Sequence, residues 1–104
     1  MSGVDEEVAG GQLLDTLLAS EIRADLLTLF RKNPGIMDTP EGISLRIGLS
    51  KAAIQEDLAA LIKLGILVKR QIGGREVISL DLKKDKAVQE AIAEHLKGLK
   101  PSVS

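Results

Sequence analysis

The chain has no cysteine, no tryptophan and no tyrosine, and it carries one phenylalanine and one histidine. The missing cysteines remove disulfides, thiol redox sensing and thiolate metal sites together. A single aromatic ring leaves no platform on which single-stranded bases could stack. Long hydrophobic runs are missing too. No stretch approaches the length of a membrane span, and residues 1–10 lack the basic-then-apolar pattern of a signal peptide. These absences lead to the expectation of a soluble cytoplasmic protein.

The groups that catalysis needs are equally thin. There is no glycine-rich phosphate loop, since Gly73-Gly74 reads as a turn between two strands, and the carboxylates are scattered singly. His95 has only Asp81, Asp85, Glu90 and Glu94 near it in sequence as partners for a metal. One histidine per chain gives at most a sparse site shared across a dimer. No catalytic residue, metal ligand, cofactor or enzymatic activity is therefore assigned.

What is present is leucine, isoleucine and an uneven distribution of charge. With 14 basic and 15 acidic residues the formal charge is −1. Asp5, Glu6 and Glu7 lie in the first ten residues, and without them the balance is 14 bases against 12 acids, or +2. Between Arg46 and Arg75 stand Arg46, Lys51, Lys63, Lys69, Arg70 and Arg75 against Glu56 and Asp57 only. That stretch is locally basic, and a phosphate backbone senses charge within a Debye length of about 8–10 Å. The plain alternative is a set of ordinary solvated positions.

A length of 104 residues suits one domain over 11–100, with 1–10 an acidic, mobile, disordered leader and 101–104 a disordered tail. A short helix is expected from Gln12. Ser20 caps a second, running to about Lys32 on the stripe Ile22, Leu26, Leu29 and Phe30 until Asn33-Pro34-Gly35 stops it. Ile36, Met37 and Asp38 form a short strand against the later hairpin. Thr39-Pro40-Glu41 announces a helix by a cap, a proline at its first position and an acid at its positive end. Gly42 sits inside that helix at a cost of roughly 1 kcal/mol against alanine. Close packing against the following helix, or a distorted first turn, would explain it.

Ser50 caps the next helix, over 50–64, and Ile54, Leu58 and Leu61 lay one apolar stripe along it before Gly65 ends it. Two β-branched-rich runs over 66–82, split by Gly73-Gly74, signal a hairpin. The two-residue loop sets Ile72 opposite Arg75, Arg70 opposite Val77 and Leu67 opposite Leu80. Leu67, Ile78 and Leu80 then face the core, Lys69, Gln71 and Glu76 continue that face, and Arg70 and Arg75 lie on the other near the tip. A last helix covers about 84–97, with Gly98 closing it. The expected class is mainly α with a small β-hairpin: about five helices and a two- or three-stranded wing sheet.

Residues 49–67, LSKAAIQEDLAALIKLGIL, resemble the turn, recognition helix and first wing strand of ArsR- and MarR-type bacterial and archaeal regulators. Residues 20–30, SEIRADLLTLF, resemble the first long helix of the same families, and the likeness spans residues 12–98. It implies a winged helix-turn-helix that binds double-stranded DNA. In that arrangement the recognition helix lies in the major groove with its N-terminal residues nearest the bases. The outward positions there are Lys51, Ala52, Gln55 and Glu56. Lysine can donate to guanine, glutamine can pair with adenine, alanine can touch a thymine methyl and glutamate can accept from cytosine. Ser50 and the helix dipole favour a phosphate. Arg46, Lys69, Arg70 and Arg75 supply backbone or minor-groove contacts. Glu56 and Asp57 stand where the resembling regulators carry neutral or basic residues. Asp57 has a sideways pairing with Lys63 or Arg46 as its alternative to facing phosphate.

Leu13, Leu14, Leu17 and Leu18 at one end and Val88, Ile92, His95, Leu96 and Leu99 at the other exceed what a minimal three-helix core needs. In the resembling families the terminal helices pair across a two-fold axis, which implies a homodimer; the alternative is packing on their own domain. The expected function is sequence-specific regulation of transcription by a DNA-bound homodimer. A winged-helix protein-interaction module that does not bind DNA is the alternative, and a sensor with a small-molecule or metal pocket at the dimer interface is a third class.

Overall fold

A computed structural model describes the backbone of residues 2–98 and the side chains of residues 10–98. The order of elements is α1 (Ser2–Leu18), α2 (Glu21–Lys32), β1 (Met37–Asp38), α3 (Pro40–Ile47), α4 (Lys51–Lys63), β2 (Leu67–Ile72), β3 (Arg75–Leu80) and α5 (Leu82–Gly98). Five helices and a three-stranded antiparallel sheet make a mainly helical, winged-helix-like fold.

Each central helix begins at a hydroxyl cap. Ser20 accepts from the Arg23 N–H at 3.2 Å, Thr39 from Gly42 at 3.1 Å and Ser50 from Ala53 at 3.1 Å. Each bond satisfies one of the amides that a helix start leaves unpaired. Asp81 does the same for α5, accepting from Lys84 at 3.0 Å. The hairpin turns on Gly73 (φ 58°) and Gly74 (φ 77°), the two consecutive left-handed residues that a tight turn matching strand twist requires. Its register is the expected one, with Leu67 opposite Leu80, Arg70 opposite Val77 and Ile72 opposite Arg75. β3 lies in the middle of the sheet, and β1 pairs with it through Met37–Ser79 and Asp38–Ile78.

The core lies between α2, α3, α4 and the sheet. Leu26, Phe30, Ile43, Ile54, Leu61, Ile66, Leu67 and Ile78 are all under 2% exposed. Each such side chain contributes roughly 1.5–3 kcal/mol of burial free energy before entropy is counted. This core fixes the orientation of α4, because Ile54, Leu58 and Leu61 point inward and leave its other side in solvent.

Two expectations change. α1 begins at Ser2 and so takes in residues 2–10, where the composition leads one to expect a disordered leader. The tail over 101–104 lies outside the described residues. Gly42 is explained by Asp38, since a Cβ there would run into the Asp38 carboxylate, not into α4.

α1 and α5 pack on each other. At their crossing a Cβ on Gly10 would stand 2.8 Å from the Ala91 carbonyl oxygen and from the His95 Cβ, and one on Gly11 would touch the His95 ring. Small residues let the two helices approach. The ends of this pair are bolted to the core by arginines: Arg23 on α2 donates to the Thr16 carbonyl of α1 at 2.7 Å, and Arg31 grips Asp85 of α5.

Candidate nucleic-acid interface

All nine residues expected to contact DNA are exposed: Arg46, Ser50, Lys51, Ala52, Gln55, Glu56, Lys69, Arg70 and Arg75. They come from α3, the cap and first turns of α4, and the wing. Lys51, Glu41 and Thr39 share a hollow of about 390 Å³ with Arg75 and Glu76, which brings the start of α4 next to the wing. A second hollow of about 280 Å³ runs between α4 and the sheet, with Gln55 and Leu58 on one wall and Lys69, Glu76 and Ile78 on the other.

The electrostatics differ from the count along the chain. Lys51 donates to Glu41 at 2.7 Å, Arg46 to Asp38 at 3.0 Å, and Lys69 lies 3.4 Å from Glu76. Three of the six bases between 46 and 75 are thus neutralised by acids at 38, 41 and 76, which fold onto the surface from outside that window. The Lys51 ammonium holds the Glu41 carboxyl below its usual range, and Glu41 in turn raises Lys51. Asp38 is likewise lowered, first by the Arg46 guanidinium and then by the Thr39 N–H. Among the described residues Lys63, Arg70 and Arg75 make no ion pair.

Asp57 does not face the groove. It is 6% exposed and accepts from Arg23 Nε at 3.0 Å, so neither Lys63 nor Arg46 is its partner. Its position was readable: 57 falls at i+3 from Ile54 and i−1 from Leu58, on the buried stripe itself. Glu56 remains outward and exposed, without an ion pair among the described residues. The acidic objection to phosphate therefore shrinks from two residues to one on α4, while Glu41 and Glu76 enter beside it. The Lys69–Glu76 pair follows from the hairpin register. Nothing in the sequence points to Glu41–Lys51, which spans the turn between two helices.

The residues expected at a dimer interface divide. Leu17 and Val88 are buried in this chain's own core, and Leu13 and Ile92 pack against it. His95 lies on Gly10 and Gly11 of its own α1. Leu18 (68% exposed) and Leu96 (49%) remain open. With Leu14 they border a groove of about 420 Å³ between α1, α2 and α5. Leu99 lies outside the described residues. Asp85 is no candidate ligand either, since Arg31 and Gln89 occupy both of its oxygens. Among the described residues no helix is long and apolar enough to cross a membrane.

No family model and no curated protein matches the chain. Solved structures do resemble it. A possible transcriptional regulator from Methanosarcina mazei Go1 aligns with a TM-score of 0.62 at 12% identity, over 86% of this chain and 81% of its own. The ST1889 protein of the thermoacidophilic archaeon Sulfolobus tokodaii aligns at 0.63 and 16%, over 95% and 99%. The M. tuberculosis transcriptional regulator MosR aligns at 0.54 and 19%, over 95% and 70%. At such identities the likeness is one of fold.

Proposed function

We propose that this protein is a sequence-specific, double-stranded DNA-binding regulator of transcription that acts as a homodimer and has no enzymatic activity. The observation that carries the reading is the disposition of α4. Its inner stripe is locked into the core while Lys51, Ala52, Gln55 and Glu56 stand exposed at its N-terminal end. That end of a helix favours anions, and those side chains can meet base edges. Arg70 and Arg75, exposed on the neighbouring wing and making no ion pair among the described residues, suit phosphates or a flanking minor groove. Two of the similar structures carry transcriptional-regulator names, which supports the same reading. A second copy seated on Leu14, Leu18 and Leu96 would present two α4 helices to successive turns of the duplex, ~34 Å apart.

A protein-interaction module is the second reading. Its support is Leu45, 83% exposed on α3, together with the three neutralised bases.

Fluorescence anisotropy on mixed genomic duplex, titrated at two salt concentrations, separates them. A DNA-binding protein gives affinity that falls steeply with salt, each phosphate contact adding about −0.9 to the log–log slope. Absence of binding near ~50 mM salt, low enough for such contacts to be strong, would remove the first reading and leave the second.

A further inference from the structure

Glu41 sits in the first turn of α3, and its carboxylate reaches across the helix-turn-helix corner to Lys51, the first residue of α4. The contact is 2.7 Å, with the two side chains 62% and 54% exposed. Both groups are in solvent, so the pair is held weakly, and exposed ion pairs contribute little to folding. What the pair does change is the charge offered to a partner. Lys51 is the outward cation nearest the N-terminus of α4, and a carboxylate already takes up one side of its ammonium.

We infer that Glu41 is a specificity-determining residue: it competes with the DNA backbone for Lys51, so that arbitrary duplex is held weakly and the lysine is released only where the complex offers a better acceptor. The inference rests on the DNA-binding reading above. Its physical basis is an exchange. A non-cognate backbone replaces one anion on Lys51 with another and leaves Glu41 stranded beside phosphates. A cognate site adds a base acceptor, such as the O6 and N7 edge of guanine, that a carboxylate on the protein cannot imitate. The cost falls on every sequence, and the compensating contact only on some, which is how a repulsive group raises discrimination. Lys69 with Glu76 and Arg46 with Asp38 repeat the arrangement at the edges of the same surface. Glu41 is the one that engages α4 itself.

A double-mutant cycle on the full chain tests this. Glu41→Gln, Lys51→Ala and the double variant are titrated by anisotropy against random-sequence duplex and against duplex selected from a random pool by the wild-type protein. Glu90→Gln on α5, exposed and without an ion pair among the described residues, measures the effect of one lost negative charge elsewhere. Glu41→Gln is expected to tighten binding to random duplex about two- to fivefold, the range an exposed pair can supply. It should steepen the salt slope by up to ~0.9 and gain less on selected duplex, so that the specificity ratio falls. In the Lys51→Ala background the same change should have less than about half that effect, because the coupling between contacting residues is what the cycle isolates. Equal gains with and without Lys51, or a gain matched by Glu90→Gln, would mean a general field effect and overturn the inference. Binding by the wild type with no change in Glu41→Gln would also overturn it while leaving the DNA-binding reading intact. No binding by any variant near ~50 mM salt removes both.

Discussion

Arg23 on α2 and Asp57 on α4 meet at 3.0 Å, their side chains only 12% and 9% exposed. Arg23 also donates to the Thr16 carbonyl at 2.7 Å, so one guanidinium joins α1, α2 and α4. An acid on α4 thus serves the scaffold. Removing one partner of a buried pair strands the other, at a cost of about 3–5 kcal/mol when burial is complete. Because Arg23 keeps Thr16, Asp57→Asn should cost somewhat less, ~2–4 kcal/mol. Urea unfolding measures it. A loss below about 0.5 kcal/mol, the scale of an ordinary surface change, would show that the pair contributes nothing to the fold.

Asp85 makes the matching attachment for α5. Arg31 reaches it with Nε at 3.0 Å and Nη2 at 2.7 Å, and Gln89 donates at 2.9 Å. Asp85→Ala is expected to undock α5, and with it α1, whose main packing is on α5. Amide hydrogen exchange should show protection falling in α1 and α5 while α4, held by Ile54, Leu58 and Leu61, keeps its own. Equal losses in all helices would point to a single cooperative unit instead.

Gly42 lets opposing effects be weighed. Alanine in a helix is favoured over glycine by about 1 kcal/mol. Here the added methyl meets the Asp38 carboxylate, which must swing away from Thr39 N–H (2.8 Å) and Arg46 Nε (3.0 Å). Two partly exposed hydrogen bonds are worth roughly 1 kcal/mol each. Gly42→Ala should therefore leave stability unchanged or lower it by ~1 kcal/mol. In an Asp38→Ala background the same substitution should stabilise by about 1 kcal/mol. Thermal unfolding of the four proteins decides; a gain in the wild-type background would contradict the steric account.

The Asp38 carboxyl is held below its ordinary 3.8, chiefly by Arg46 and then by the Thr39 N–H. A carboxyl lowered by folding adds stability that is fully present above the unfolded value and is lost as pH falls through the folded one. The window therefore opens below about pH 3.8. Carboxyl chemical shifts followed by NMR should give a midpoint under 3.8 for Asp38, moving up toward it in Arg46→Ala. A midpoint indifferent to Arg46 would assign the effect elsewhere.

On the wing, Arg70→Ala and Arg75→Ala should each weaken binding to every duplex sequence alike and flatten the salt slope by about 0.9. Lys51→Ala should fall mainly on selected sequences. A wing substitution that altered one base preference while leaving salt dependence intact would reverse that division of labour.

Most of the fold was legible because its signals are local. Ser20, Thr39 and Ser50 cap their helices as expected, and two glycines between β-branched runs fixed the hairpin register residue by residue. The start of α1 was not legible: the apolar stripe of that helix begins only at Leu13, and its crossing with α5 is made at Gly10 and Gly11, which carry no side chain to mark it. The candidate surface was legible in composition but not in charge. Counting bases along the chain finds Lys51 and Arg46. It cannot see Glu41 and Asp38, which reach them across a corner of the fold.

The crossing of α1 and α5 joins residue 10 to residue 91 and so closes a loop of about eighty residues. Closure entropy grows only slowly with loop length, but it is met before any contact at the crossing is made. Synthesis runs in chain order, so α1 emerges first and waits longest for its partner, while α2 through β3 can complete the core around Phe30 and Leu61 without it. During that interval the core lacks Leu17 and the Leu13 that packs beside it, and both stay uncovered until α1 docks.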